Sequence, residues 1–248
     1  MGARRFVPWE DGPQYVLTLN TTKMKSMIIW ICTALISLAV NCQNGSQNAS
    51  DVLANRSTSL ELDPAPGEKI LTIAGGCFWC VEEVYERTRG VSRAISGYSG
   101  GHTQNPTYEK SNTGTTGHAE AVQVYYNPDS ISFKKLLEIF FLAAHDPTQV
   151  DRQGPDVGPQ YRSIAFYRTP EEKTIIEDYI NELNSSGTFD APIATEVKAF
   201  DVFWVAEDYH QNYYPQNPGN PYIQRVSRPK VEKFMEKFPE WVKPEYVK

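Results

Sequence analysis

Two cysteines stand three positions apart in the segment Gly75-Gly76-Cys77-Phe78-Trp79-Cys80. The apolar run Ile70-Leu71-Thr72-Ile73-Ala74 precedes them, and Val81-Glu82-Glu83-Val84-Tyr85-Glu86-Arg87 follows. That order predicts a strand, a tight glycine turn and a helix starting at Cys77, where the first backbone N–H groups have no intrahelical partner. The positive end of the helix dipole favours a thiolate there, so Cys77 is expected to ionise more easily than a free thiol. Positions i and i+3 share a helix face about 5–6 Å apart, inside the Cα separation that a disulfide spans. The pair reads as a reactive thiolate, Cys77, with a resolving partner, Cys80.

Three other chemistries are open to a Cys-x-x-Cys pair: half of a zinc site, an inert structural disulfide, or a general thiol-disulfide exchange motif. Tetrahedral zinc needs two more ligands at comparable spacing. Cys32 and Cys42 lie far upstream, and His102, His118, His145 and His210 are scattered singly. A bridge this local closes too small a loop to stabilise much. Redox catalysis on a substrate is the favoured class.

The elements that would position the pair alternate from Lys69 onward. Gly90 is placed as a helix C-cap, with a strand over 91–97 and a long loop from Gly100 to Thr116. A strand over 119–126 closes at Asn127-Pro128, and a helix over 133–144 carries the stripe Phe133, Leu136, Leu137, Phe140 and Phe141. A second loop, His145 to Pro159, leads to a strand over 161–167 and a helix with Thr169 as N-cap and Pro170 at its first position. A single strand over 195–205 and a short helix from Ala206 to about Tyr214 complete the pattern. Strands and helices in this mixed order predict an α+β fold, a two-layer sandwich with a mixed β-sheet of ferredoxin-like (plait) type. The two long loops are where a site is expected.

The 248-residue chain is 40% apolar, enough for one sizeable domain with appendages, and its net charge of −6 argues against a nucleic-acid partner. Residues 1–42 read differently from the rest. Met27 to Val40 is an uncharged apolar run preceded by Lys23 and Lys25, short for a membrane span and suited to a signal-peptide core. A start at Met24 would give an ordinary charged lead, so residues 1–23 read as a mis-set start. Leu38-Ala39-Val40-Asn41-Cys42 resembles the cleavage and lipidation site of bacterial lipoproteins, except that Asn41 replaces a small residue and Ala39 a leucine. An ordinary signal peptide with an incidental cysteine is the alternative. Export is expected either way, to the periplasm or, through a lipid on Cys42, to a bacterial membrane surface. The Asn/Ser/Gly-rich stretch 43–68 reads as a disordered tether, and 69–248 as the catalytic domain.

Several motifs occur together and in order: Gly76-Cys77-Phe78-Trp79, Gly97-Tyr98-Ser99-Gly100-Gly101, Asn105-Pro106-Thr107-Tyr108, Thr116-Gly117-His118-Ala119-Glu120, His145-Asp146-Pro147-Thr148-Gln149, Gln160-Tyr161-Arg162-Ser163 and Ala206-Glu207-Asp208-Tyr209-His210-Gln211. From about Ile70 to about Tyr222 the sequence closely resembles the A-type peptide-methionine (S)-S-oxide reductases. The resemblance implies reduction of the S epimer of methionine sulfoxide, free or in oxidised proteins and peptides. Reducing a sulfoxide needs a soft nucleophile for sulfur and a proton for the departing oxygen. Cys77 supplies the first. The family implies Glu120 as the acid, a carboxyl kept protonated by an apolar pocket.

By the same resemblance Tyr108 and Tyr161 hold the sulfoxide oxygen, Phe78 and Trp79 form an apolar slot for the S-methyl group, and Asp156 orients the site. A sulfenic acid on Cys77 would condense with Cys80, since sulfenic acids combine with a nearby thiol. Many members of the family carry Gly at this position and resolve through C-terminal cysteines; here no cysteine follows Cys80. A single Cys77–Cys80 bridge, recycled by thioredoxin or a thioredoxin-like protein, is therefore expected, in a monomer that needs no metal, flavin or nucleotide cofactor. The alternatives are a general thiol-disulfide oxidoreductase and a non-catalytic lipoprotein that binds Met-containing peptides.

Overall fold

The computed structural model describes residues 62–247. The export signal, the Cys42 lipidation site and residues 43–61 of the tether lie outside the described residues. Residues 63–68 belong to the folded unit, which begins earlier than the expected boundary at Lys69. The Arg93 guanidinium donates to the Asp63 carbonyl (2.9 Å) and pairs with Glu68 (3.6 Å).

The first half follows the sequence pattern closely. Strand β1 (Lys69–Gly75) leads into helix α1 (Phe78–Glu86), then strand β2 (Val91–Ser99), a short helix α2 (Tyr108–Ser111) and strand β3 (Ala119–Tyr126). Helix α2, inside the expected loop, is capped by Thr107, whose side chain accepts from the Lys110 N–H. Helix α3 (Phe133–Ile139) widens into a π-helical turn over Phe140–Ala144, and a hairpin follows, β4 (Arg152–Gln153) and β5 (Asp156–Val157). Strand β6 (Ser163–Tyr167) and helix α4 (Pro170–Ser186) come next; Thr169 caps α4 through the Glu172 N–H, as expected.

The four strands β6, β1, β3 and β2 lie side by side with every neighbouring pair antiparallel. With α1 joining β1 to β2 and α3 joining β3 to β6, this is the plait arrangement. The alternation along β3 sorts its side chains. Val122, Val124 and Tyr126 join the main core under the helices, whereas Ala119 and Ala121 join a small second cluster with Ala74, Ile164 and Phe166. Glu120 falls on the helical side.

The expected single strand over 195–205 is two strands, β7 (Glu196–Ala199) and β8 (Phe203–Val205), at opposite edges of the sheet. β7 runs parallel to β6 and makes the sheet mixed; β8 runs antiparallel to β2. Six flat strands would hold those edges about 24 Å apart, whereas the four peptide steps from Ala199 to Phe203 reach about 14 Å at most. The sheet must therefore curl. Lys198 Nζ, on the β7 edge, donates to the carbonyl of Gly100 just past the end of β2, the strand beside the other edge (2.6 Å). Phe200, Val202, Phe203 and Trp204, broken only by Asp201, read as one strand pattern and hide the break, because the crossing residues Phe200 and Val202 are themselves partly buried.

Beyond a short helix α5 (Tyr213–Gln216), a π-helical segment over Ile223–Ser227 runs into helix α6 (Arg228–Lys237). Pro229 lacks the N–H that would close an ordinary turn onto the residue 225 carbonyl, which suits the wider turn before it. Helix α6 packs on the main core through Val231 and Phe234.

Candidate active site

Gly76 sets the geometry at the end of β1. Its φ is +84°, and a Cβ there would fall 2.4 Å from Gln153 Cγ. Gln153 is fixed in turn: the Asp146 N–H donates to its Oε1 (3.0 Å), and its Nε2 donates to the Asp146 carbonyl (3.0 Å). A glycine at 76 thus admits both the left-handed turn and the close approach of the hairpin that carries Asp156. Cys77 is the N-cap of α1, and Cys80 lies within its first turn.

Cys77, Phe78, Trp79, Tyr108, Glu120, Asp156, Tyr161, Asn220 and Tyr222 line one cavity of about 360 Å³. Apart from Cys80, the structure therefore gathers every predicted residue of the site around Cys77, from α1, α2, β3, β5 and the turn before β6. Cys80 does not line the cavity. It is fully buried behind Cys77, which is itself 6% exposed. The two thiols are free and hydrogen-bonded to each other.

Glu120 is paired across the sheet with Tyr98 and buried. The Phe78 N–H, at the start of α1, donates to its Oε2 (3.0 Å). Burial outweighs that bond and pushes the carboxyl up to about 8. A neutral carboxyl beside Cys77 at neutral pH can donate a proton, as expected for an acid.

Cys77 departs from expectation. Burial, the hydrogen bond to Cys80 and the nearby Glu120 together push its thiol well up, against the helix N-terminus. Cys80 is instead lowered to about 7, chiefly by accepting the Cys77 hydrogen bond, with help from Lys230 and Ser227. The helix dipole falls off over one turn and is weak against full burial. The two sulfurs titrate as a pair: one proton leaves near neutrality, the other is held between them. In this arrangement Cys80 is the more acidic of the two.

Residues with no role assigned from sequence complete the site. The Tyr222 hydroxyl donates to Asp156 Oδ2 (2.5 Å) and also hydrogen-bonds Cys77, so it links the loop carboxylate to the thiol. Trp79 stacks on Tyr213 (3.9 Å between ring centres) and its Nε1–H donates to His210 Nδ1 (3.1 Å). Burial lowers His210 to about 4, so it stays neutral and keeps that acceptor. Glu207 accepts from the Tyr98 hydroxyl (2.9 Å) and the Tyr108 N–H (3.0 Å), tying α2 to β2. Glu207 and His210 belong to a motif visible in the sequence. Tyr222 and Asn220 carry no local signal; only the fold brings them back over Cys77.

Tyr108 and Tyr161 both face the cavity, and burial raises each phenol, so each keeps its proton as a hydrogen-bond donor. The Tyr161 hydroxyl also reaches Asn112 Oδ1 at 3.4 Å. Among the described residues no three His, Cys, Asp or Glu side chains converge as a metal-binding set.

A dithiol that gives up one proton near neutrality, a protonated carboxyl and phenolic donors around one aromatic-walled cavity make a thiol-based oxidoreductase site. Comparison with known proteins agrees. The family model described as Peptide methionine sulfoxide reductase matches residues 69–242. The peptide methionine sulfoxide reductase MsrA of Saccharolobus solfataricus is 50% identical over 175 residues, covering 71% of this chain and 97% of that protein. The MsrA of Natronomonas pharaonis is 48% identical over 171 residues, covering 69% and 96%. The crystal structure of reduced Mxr1 from Saccharomyces cerevisiae shares the fold with a TM-score of 0.60 at 32% identity, over 66% of this chain and 92% of that one. Methionine sulfoxide reductase A of Corynebacterium diphtheriae gives 0.55 at 36% identity, over 63% and 78%. The chain belongs to the peptide methionine sulfoxide reductase family, and it is an oxidoreductase that reduces methionine sulfoxide.

Proposed function

We propose that the chain reduces the S epimer of methionine sulfoxide through Cys77, with Glu120 as proton donor and Cys80 as the resolving thiol. One observation carries this reading: the protonated Glu120 carboxyl and the Cys77 sulfur line the same cavity between Phe78, Trp79, Tyr108 and Tyr161. The S-methyl group would rest against the Phe78 and Trp79 rings, with the sulfoxide oxygen towards the tyrosine hydroxyls and Glu120.

Substrate entry moves the shared proton to Cys80 and leaves the thiolate on Cys77. Two electrons then pass from the Cys77 sulfur to the methionine sulfur, and the oxygen ends on Cys77. The Glu120 proton makes the product a sulfenic acid, Cys77–SOH, beside a Glu120 carboxylate. Cys80 attacks that sulfur, the S–O bond breaks, and hydroxide leaves and is protonated to water. A thioredoxin-like dithiol protein reopens the Cys77–Cys80 bridge. Cys77, which lines the cavity, is the one its thiolate can reach.

The asymmetric cavity wall supports a choice between epimers. Exchanging oxygen and lone pair on sulfur would turn the oxygen away from Glu120 while the methyl group keeps its slot. The separate S and R sulfoxide epimers of a methionine peptide, assayed with dithiothreitol, test the reading. Reduction of the S epimer at least about 10²-fold faster than the R is expected, the worth of one positioned acid. Equal rates, or preference for R, would refute it.

A further inference from the structure

Cys80 has no contact with solvent, so a negative charge on it must be supported by the protein. Two groups of the C-terminal segment bear on it, Ser227 by contact and Lys230 through its charge. Ser227 Oγ lies 3.1 Å from Cys80 Sγ, where its hydroxyl can donate to a thiolate. Lys230 follows three residues later, on the same helical face. Its ammonium is buried without a hydrogen-bond partner, and its charge acts on Cys80. A buried cation with no partner is costly unless an opposite charge compensates it. Beyond hydrogen-bond range, a thiolate on Cys80 is an opposite charge that its field reaches.

We propose that Lys230, seconded by Ser227, is a positioning residue for Cys80, governing the closing and reopening of the Cys77–Cys80 disulfide while taking no part in sulfoxide reduction itself. The proposal rests on the reading of Cys80 as the resolving thiol. In closing, Cys80 attacks as a thiolate: the S–S bond forms, the S–O bond of the sulfenic acid breaks, and hydroxide leaves. In reopening, a dithiol reductant forms a bond to Cys77 and Cys80 departs as a thiolate, so a stabilised Cys80 anion assists both directions. The other groups near Cys80 oppose Lys230 or compete for the proton. Asp156 repels the anion, as does Glu120 once it has given up its proton, Tyr222 holds its own proton more tightly beside it, and Cys77 hydrogen-bonds it.

The test separates two steps in one experiment. The reduced full-length chain is mixed with one equivalent of S-sulfoxide peptide and quenched in acid; methionine is followed by chromatography, and disulfide closure by alkylation and mass spectrometry of the Cys77–Cys80 peptide. In Lys230→Met, methionine formation is expected within about twofold of wild type at about pH 9, where the thiol pair has lost its first proton in both chains. Disulfide closure should be about three- to fivefold slower near pH 7, with its pH midpoint moved up by about one unit. Lys230→Arg should restore most of the rate. Equal slowing of both steps, or an unmoved midpoint with no rescue by arginine, would show that Lys230 only packs. Should Lys230→Met not fold, Ser227→Ala carries the same split with a smaller effect, and unchanged closure in it overturns the proposal. Absence of methionine formation in the wild-type chain overturns the reading of the site and the proposal together; normal methionine formation with unchanged closure in Lys230→Met overturns the proposal alone.

Discussion

Cys77→Ser is expected to lose sulfoxide turnover by about 10³-fold or more, the scale seen when a nucleophile is removed. Among the described residues Cys77 is the only sulfur that lines the cavity, and a hydroxyl at that place is neither soft nor ionised. Cys80 cannot take over, because it is fully buried and lies behind Cys77. The fold should survive: serine is slightly smaller, can keep the N-cap position of α1 and can still hydrogen-bond Cys80. Steady-state reduction of a sulfoxide peptide with dithiothreitol, beside a thermal melt, checks both parts. Turnover within about tenfold of wild type in a folded variant would place the nucleophile elsewhere.

Glu120→Gln is expected to slow the chemical step about 10²–10⁴-fold, the usual worth of a positioned acid. Glutamine keeps an acceptor for the Phe78 N–H, so the local structure has little reason to change. The pH dependence is the sharper signature. Glu120 is protonated below about 8, so the wild-type rate should fall as pH rises through that value, and this limb should vanish in the glutamine variant. On the low-pH side, the rate should rise as the thiol pair loses its first proton near 7. Stability has the same sign for Glu120 and for Glu82, a second buried carboxyl raised to about 8. Each holds its proton more tightly folded than unfolded. Its contribution is complete below the ordinary carboxyl range and is lost as pH rises through about 8. Single-turnover rates from quenched mixing across this range test the assignment. An unchanged rate would make water or a tyrosine the donor.

The sequence was most readable where one local rule governs. Two glycines between an apolar run and a helix pattern placed Cys77 at the start of α1. The motif order gathered seven residues that the fold brings round one cavity. What stayed hidden depends on burial and on distant chain. The helix start argued for a thiolate on Cys77, but full burial and the hydrogen bond to Cys80 reverse the order of the two sulfurs. Tyr222, Ser227 and Lys230 sit more than a hundred residues beyond the cysteines and reach them only because the C-terminal segment returns over α1. The break between β7 and β8 follows from the curl of the whole sheet, which no window along the chain contains.

Thiol-disulfide exchange alone would need no oxygen to pass to Cys77, whereas sulfoxide reduction through a sulfenic acid requires it. The most direct measurement is a single turnover by Cys80→Ser, with S-sulfoxide peptide in excess and no reductant present. Reduced enzyme should yield one equivalent of methionine per chain, a sulfenic acid on Cys77 that dimedone captures for mass spectrometry, and no turnover driven by thioredoxin through a Cys77–Cys80 bridge. No methionine, or methionine without oxidation at Cys77, would contradict Cys77 as the oxygen acceptor.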